Sequence, residues 1–363
     1  DPASPPYVSC GQPVPDGSIA VVDPVACTRR ADGQVGEVWI SGPHVAAGYW
    51  GREEQTDLLA RPVHYGKLDV LDEPLADAII EMRLIHDHAG IAAMRQAAAA
   101  TAAAYHAGLH AVRPGIKECV VRAAMEAEFI KRDMTVSYNS IVSVHGEVLH
   151  NEVYHHELTP RDLLLVDVGG ETADGWAAAV TRTWPVNRRF SPSQRDCYQV
   201  VCNVQQKLVA AVQPGRPFRE LHLMAAQLMA EGLIELGLLR GHPAELVADG
   251  VVALFFPHGL GHLIGLDVHD MEDLGDRATY APGRTRSTQP GLRTLRLDRE
   301  LAPGMAITIE PGLYFVPAIL QDPARTAVAG DRLRHERLAA FADVRGIRIE
   351  DDVLVKPRDH EVG

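Results

Sequence analysis

Residues 163–170, Leu163-Leu164-Leu165-Val166-Asp167-Val168-Gly169-Gly170, form a continuous apolar run that carries one acid and ends in two glycines. A short apolar run bounded by glycine is typical of a strand buried on both faces, so we expect it to deliver Asp167 into the protein interior. Residues 176–184 are expected to return beside it as a second strand, after a turn around Asp174 and Gly175.

The segments around this strand alternate between helical and strand patterns. Apolar residues at helical spacing predict helices over residues 91–105, 120–130, 193–212 and 218–239. Strand patterns occur at residues 19–23, 36–41, 138–148, 305–314 and 346–355. This order predicts an α+β protein of two halves that offer strand ends to a shared centre, preceded by a small β-rich module at residues 1–60.

Composition narrows the possible functions. The formal net charge of −13 argues against binding to nucleic acid, which requires a basic surface. No apolar run is long enough to span a membrane, and the first residues lack the basic and apolar segments of a secretory signal, so a cytoplasmic location is expected. The five cysteines form no Cys-x-x-Cys pair, and Cys197 and Cys202 lie in a helical pattern as expected for reduced packing residues.

Three acids and one histidine stand out because apolar or glycine-rich residues surround them. Asp167, Glu310 and Glu350 each follow apolar neighbours, and His262 lies in His-Gly-Leu-Gly-His. Singly, an acid at a strand end is more often a turn or cap residue. A buried carboxylate is costly unless it is paired or binds a cation, so the convergence of all four groups would indicate a divalent metal site.

Residues 256–270 contain three histidines, His258, His262 and His269. The first two have the spacing of two ligands on one helix face, as in zincin peptidases. Glycines at 259, 261 and 265 disfavour such a helix, and no glutamate follows His258, so a zincin site is not expected. Three histidines among glycines that permit close backbone approach favour the wall of an active site.

Residues 72–357 resemble the Xaa-Pro aminopeptidases and prolidases, which are metallopeptidases with the pita-bread (creatinase/aminopeptidase-like) fold. The motifs that carry the resemblance are Val166-Asp167-Val168-Gly169-Gly170-Glu171, Thr181-Arg182-Thr183-Trp184-Pro185-Val186, residues 256–270, residues 303–312 and Gly346-Ile347-Arg348-Ile349-Glu350-Asp351. The resemblance implies an α+β pita-bread domain that forms a homodimer. Its substrates would be peptides with proline at the second position, and it would hydrolyse the N-terminal Xaa-Pro bond.

The resemblance also implies roles for individual residues. Asp167 would be a terminal ligand of one metal, His262 and Glu310 would bind the other, and Glu350 would bridge them. The catalytic residues implied are His150, His258, His269, Glu310 and Arg348: the three histidines on the substrate side, Glu310 for proton transfer, and Arg348 supporting the centre. The family pattern holds two divalent ions, usually manganese, which activate water for attack on the peptide carbonyl.

One position departs from this pattern. The family has an aspartate two residues before the Thr-Arg-Thr triplet, where this chain has Ala179. By resemblance the missing carboxylate bridges the two metals, and three acids do not balance the four positive charges of two ions. One metal ion or none is therefore expected, with impaired activity. Asp174 is not expected to replace the missing group, because a separation of five puts it on the opposite strand face.

Two further functions stay open at this point. Ala179 fits either a natural pseudoenzyme that binds a peptide or protein partner without catalysis, or an introduced Asp→Ala change in a peptidase. A relative that acts on a non-peptide amide is a third possibility, because fold does not fix function.

Residues 9–57 resemble a different family, the adenylate-forming acyl ligases, over a fragment only. No phosphate-binding loop rich in serine, threonine and glycine accompanies it, and no catalytic lysine segment is recognisable. Ligase activity is therefore not expected, and a fused or remodelled β-module is predicted in place of the larger amino-terminal domain that Xaa-Pro aminopeptidases carry.

Overall fold

The computed structural model describes residues 18–23, 28–29, 37–41 and 73–363. The chain divides into two compact units, Asp1–Ala76 and Asp77–Gly363. The predicted domain limits, 1–60 and 72–357, stay predictions. In the first unit, strands β1 (Ser18–Asp23), β2 (Thr28–Arg29) and β3 (Glu37–Ser41) form an antiparallel sheet in the order β2-β1-β3. The β-type runs predicted at 19–23 and 36–41 are confirmed.

The helices agree closely with the apolar spacing in the sequence. The long helices are α1 (Glu73–Leu84), α2 (His88–Ala111), α3 (Glu118–Ile130), α4 (Pro192–Ala211) and α5 (Phe218–Glu235). The short ones are α6 (Pro243–Ala248), α7 (Asp276–Thr279), α8 (Pro317–Leu320), α9 (Pro323–Thr326) and α10 (His335–Leu338).

Local sequence explains where two of these helices begin and end. Ser191 and Gln194 form a capping box before α4, each side chain accepting a hydrogen bond from the other residue's backbone N–H. Helix α5 ends at Glu235, earlier than the predicted residue 239, because Gly237 adopts a positive φ of 71° that a helix cannot continue through.

The first set of strands in the second unit surrounds Asp167. These strands are β4 (Thr135–Val136), β5 (Ile141–Ser143), β6 (Leu163–Val168), β7 (Gly170–Glu171) and β8 (Val180–Pro185). Three of these strands form an antiparallel sheet in the order β5-β6-β8. Every residue of β6 is buried, as predicted.

Two predicted strands are shorter than expected. The strand predicted at 138–148 covers only Ile141–Ser143, and the return strand begins at Val180 instead of residue 176. The backbone N–H groups just before Val180 bond elsewhere: that of Ala177 to Gly265, and that of Ala178 to Gly170. These groups are therefore not available to extend the β6–β8 ladder.

The second set of strands carries the other predicted acids. These strands are β9 (Ala306–Ile309), β10 (Gly312–Tyr314), β11 (Gly346–Arg348), β12 (Asp351–Val355) and β13 (His360–Val362). They form an antiparallel sheet β13-β12-β9 and a β10–β11 pair. The strand predicted at 305–314 is split at Glu310-Pro311, where proline has no N–H to donate to a ladder.

Short backbone links join the two sets of strands. Thr181 of β8 pairs with Glu350 between β11 and β12, where the Glu350 N–H donates to the Thr181 carbonyl at 3.0 Å. Asp167 faces Thr181 in the β6–β8 register. The three positions are therefore neighbours across the strands, which places two of the predicted acids at one centre.

The cysteines among the described residues are free thiols. Cys197 is buried and Cys202 half-buried, both are free, and both contact the main apolar core, as the sequence predicts. Cys119 is free and exposed, and Cys10 and Cys27 lie outside the described residues.

Within the described ranges, no helix has the length and apolar character needed to cross a membrane.

Candidate metal centre

A single cavity of about 460 Å³ collects every site residue predicted from the sequence. Its lining includes His150, Asp167, Ala179, His258, His262, His269, Glu310, Arg348 and Glu350. These residues lie up to 200 positions apart in the sequence, from His150 to Glu350, and the fold brings them to one cavity.

Three of these side chains form a donor group. His262, Glu310 and Glu350 each offer one ligand atom, and the three atoms lie within 4.8 Å of one another. The His262 Nδ1–H donates to the Leu263 carbonyl at 2.9 Å, which leaves Nε2 free, 3.7 Å from Glu310 Oε1. A backbone acceptor on one ring nitrogen is the usual way of directing the other to a metal.

The chain around His262 runs very close to strand β9. The Thr308 N–H donates to the His262 carbonyl at 2.9 Å, and the Glu310 N–H donates to the Leu260 carbonyl at 2.8 Å. A Cβ atom at Gly261 would lie 2.0 Å from the Thr308 carbonyl oxygen. Glycine is therefore required at 261 for this approach, which sets the distance between His262 and Glu310.

We expect Gly261→Ala to destabilise the fold by about 3 kcal/mol, because a methyl group there must displace backbone atoms of β9. Urea unfolding followed by circular dichroism measures the change through the transition midpoint. Metal binding should weaken along with stability. A midpoint equal to that of the parent chain would show that the two segments are not held this closely.

Burial and mutual repulsion dominate the electrostatics of the donor group. Desolvation raises the pKa of Glu310 to about 7, with Asp167 adding to the increase and Arg348 opposing it. The pKa of Glu350 is raised well above its usual value, first by desolvation and then by the charges of Asp167 and Glu310. A divalent cation between these carboxylates would relieve both effects.

Asp167 lies in the same cavity but outside the donor group. Its Oδ2 accepts a hydrogen bond from Arg348 Nη2 at 2.6 Å, and its Oδ1 accepts one from the Tyr138 hydroxyl. Arg348 also donates from Nε to Thr181 Oγ1 and from Nη1 to the Tyr314 hydroxyl, both at 3.0 Å. All three nitrogens of Arg348 are thus committed to the protein, which makes it a positioning residue.

Ala179 is buried and contributes no donor to the cavity that it lines. Its backbone N–H donates to the carboxylate of Asp352 at 3.1 Å. Asp174 lies in an exposed turn and does not line the cavity. The chemistry of the donors, one imidazole nitrogen and two carboxylates, fits one divalent ion. The predicted loss of a second ion stays a prediction.

The three histidines predicted to lie on the substrate side differ in how many of their ring nitrogens are hydrogen-bonded. His258 donates from Nδ1 to the Gly259 carbonyl at 2.8 Å and accepts at Nε2 from the Tyr314 hydroxyl at 2.9 Å, so neither ring nitrogen is free. The rings of His150 and His269 make no hydrogen bond with any described residue and face the cavity. Burial lowers the pKa of His269 to about 4, so this ring is neutral and carries one N–H donor.

Sequence reasoning missed the residues that support these groups. Tyr138 bonds Asp167, Tyr314 bonds both His258 and Arg348, and Thr181 Oγ1 donates to Glu350 Oε2 at 2.5 Å. Thr181 could have been found, because a residue two positions from 179 on a strand lies on the same face. For Tyr138 and Tyr314, the neighbouring sequence gives no indication of a role at the site.

Comparisons with known proteins find two family matches in this chain. The metallopeptidase family M24 matches residues 92–357, and the AMP-binding enzyme family matches residues 1–50. The chain is similar to the Xaa-Pro dipeptidase of Homo sapiens, 32% identical over 300 residues that cover 80% of this chain and 59% of that protein. It is also similar to the probable Xaa-Pro aminopeptidase pepP of Botryotinia fuckeliana, 33% identical over 288 residues, with coverages of 77% and 60%. The chain spans about 60% of the length of these relatives.

Solved structures show the same similarity. An alanine variant of Escherichia coli aminopeptidase P in complex with substrate aligns with a TM-score of 0.65 at 32% identity, covering 78% of this chain and 57% of that one. Aminopeptidase PepP of Pseudomonas aeruginosa aligns with a TM-score of 0.64 at 32% identity, with coverages of 80% and 58%. The predicted α+β pita-bread fold is confirmed.

Proposed function

Because the chain belongs to metallopeptidase family M24, we propose that it is a metal-dependent peptidase that acts on the bond before proline at the second position of a peptide. The observation that carries this proposal is the donor group of His262, Glu310 and Glu350 in a cavity that also holds unpaired histidine rings. The similarity to proteins named for Xaa-Pro substrates supports the choice of substrate.

His262, Glu310 and Glu350 are the residues that would hold the ion. When bound, a divalent ion supplies Lewis-acid polarisation of the substrate carbonyl and lowers the pKa of water. Two carboxylates beside one imidazole suit manganese, which oxygen donors bind readily, so we infer manganese as the natural metal. A zinc-substituted form of E. coli aminopeptidase P has also been solved, so zinc is the metal to compare with manganese in binding to this chain.

The other cavity residues would handle the proton and the developing charge. Glu310 is proposed to carry the proton from water to the leaving nitrogen, because its carboxylate lines the cavity and one of its oxygens lies 3.7 Å from His262 Nε2 in the donor group. The neutral ring of His269 can donate its N–H to the oxygen that becomes negative in the transition state. Arg348 holds Asp167 and Thr181 in place and so orients Glu350 indirectly.

Ala179 limits how well this centre can work. With one ion held by two acids and one histidine, hydrolysis is expected to be slow, because the carboxylate that the family has at position 179 is missing. The same observation favours a second candidate, a noncatalytic protein that binds a peptide or protein partner in the cavity. Assays of Xaa-Pro peptides with Mn²⁺, on this chain and on Ala179→Asp, separate the two candidates. Turnover restored by the aspartate supports the peptidase, and absence of turnover supports the binding protein.

A cytoplasmic location and a homodimer stay predictions.

Arg296 favours short substrates over long ones. It lines the cavity, and both oxygens of Glu272 bind its guanidinium at 2.6 and 2.7 Å. Unlike Arg348, whose three nitrogens are all engaged, Arg296 retains donors that could face a ligand. A guanidinium on the wall of a small cavity suits the carboxylate at the end of a dipeptide.

We expect Arg296→Gln to weaken the binding of glycyl-proline about tenfold, because a charge-assisted hydrogen bond to the terminal carboxylate is lost. Isothermal titration calorimetry on the metal-loaded chain measures this affinity. Arg293→Gln is the matched control, since Arg293 is exposed in the same segment and does not line the cavity. Equal losses from both variants, or none from Arg296→Gln, would remove Arg296 from the binding site.

A further inference from the structure

Four acids line the cavity, and Glu152 is the one that neither belongs to the donor group nor is paired with Arg348. We propose that Glu152, together with Asn139, forms a subsite for a cationic side chain, so that the protein prefers peptides whose first residue is lysine or arginine. This inference rests on the proposed function, because it names the substrate class of the same cavity.

Glu152 and Asn139 both line the cavity that contains the donor group. The Asn139 side-chain amide donates to Glu152 Oε1 at 3.1 Å, which leaves Oε2 without a hydrogen bond to any described residue. Both side chains are exposed, whereas Glu350 is buried. The pair therefore lies towards the open side of the cavity.

The loop that carries Glu152 is firmly attached to the first set of strands. On one side of Glu152, buried Asn151 donates from Nδ2 to Ser143 Oγ at 2.6 Å and accepts from the Val153 N–H at 3.0 Å. On the other side, the Tyr154 hydroxyl donates to the Ser140 carbonyl at 2.6 Å. A carboxylate held on a fixed loop loses little freedom when a ligand binds, which favours recognition.

The charge of Glu152 is not neutralised by a neighbouring cation. Within residues 73–363, no lysine, arginine or histidine forms an ion pair with it, whereas Asp167 is paired with Arg348. Arg122 is near enough for Glu152 to influence its pKa, but its Nε bonds Glu126 at 2.7 Å and its guanidinium lies over the Tyr154 ring. The unpaired negative charge is thus available to a ligand cation.

Position decides which ammonium group of a peptide reaches Glu152. A peptide whose scissile carbonyl lies at the buried donor group has its α-amino group close to that group as well. Lysine carries its ammonium on a four-carbon stem, so this group can reach farther from the buried centre than the α-amino group can. We therefore assign the subsite to the side chain of the first residue.

Three proline dipeptide analogues distinguish the two possible ammonium groups. Lysyl-proline has both groups, norleucyl-proline has only the α-amine, and 6-aminohexanoyl-proline has only the side-chain amine. Affinities for the metal-loaded chain are measured by titration calorimetry at low ionic strength, on the parent, on Glu152→Gln and on Glu157→Gln. Glu157 is the matched control, because it is exposed on the same loop but does not line the cavity.

We expect the parent to bind lysyl-proline about five times more tightly than norleucyl-proline, a ratio typical of one partly exposed charge pair. Glu152→Gln should abolish this preference and weaken 6-aminohexanoyl-proline, while Glu157→Gln changes neither. A preference that survives Glu152→Gln overturns the proposal. An equal loss for lysyl-proline and norleucyl-proline, with 6-aminohexanoyl-proline unchanged, also overturns it, because it would assign Glu152 to the α-amine. If no analogue binds either this chain or Ala179→Asp, the proposed function itself fails.

Discussion

Replacing Ala179 by aspartate is expected to raise the number of tightly bound Mn²⁺ ions from one to two per chain. Ala179 lines the same cavity as Asp167 and Glu350, so a carboxylate there adds a donor to groups that are now too few for a second ion. Hydrolysis of Xaa-Pro dipeptides should rise by about a hundredfold to ten-thousandfold, since transition-state stabilisation of several kcal/mol depends on such a ligand. Metal content after dialysis and steady-state rates measure the two effects separately.

The matched control is Ala179→Asn, which has nearly the same volume as the aspartate but no charge. It should retain one ion and the low rate of the parent, because an uncharged amide neither balances a second divalent ion nor bridges it well. Thermal unfolding of both variants establishes that each is folded. A folded Ala179→Asp variant that binds one ion and stays inactive would contradict the peptidase and leave the noncatalytic binding protein.

The sequence predicted the strands and the donors better than the contacts between them. The buried strand at 163–168 and the convergence of His262, Glu310 and Glu350 follow from apolar runs, glycine-rich motifs and the cost of burying acids. The positions of these groups in separate motifs left open which of them would lie close enough to share an ion. Asp167 illustrates the difference, because Arg348 and Tyr138 already occupy its oxygens.

Tertiary hydrogen bonds account for most of what could not be predicted. The backbone of residues 177–179 bonds Gly265, Gly170 and Asp352 instead of continuing strand β8, which no local pattern indicates. The pairing of His258 with Tyr314 joins residues 56 positions apart. Such contacts depend on the packing of whole elements, so periodicity along the chain carries no information about them.

Glu350→Gln is expected to change metal affinity and stability in opposite directions. Loss of the carboxylate removes one of three donors, so the affinity for Mn²⁺ should fall by about a hundredfold or more. The pKa of Glu350 is higher in the folded chain than in the unfolded chain, so its ionisation opposes folding, and stability present at low pH is lost as the pH rises. Without metal, the glutamine variant should therefore unfold a few degrees above the parent at pH 7.

Thermal unfolding with EDTA and with excess Mn²⁺ tests both signs in one experiment. The parent should gain stability from the ion by mass action, and the Glu350→Gln variant should gain little. The hydrogen bond that Thr181 Oγ1 donates to Glu350 can persist to the glutamine carbonyl, so the comparison isolates the charge. Glu300→Gln serves as the control, since Glu300 is exposed and outside the cavity. A variant that is less stable without metal, yet still stabilised by Mn²⁺, would mean that Glu350 supports the fold and does not bind the ion.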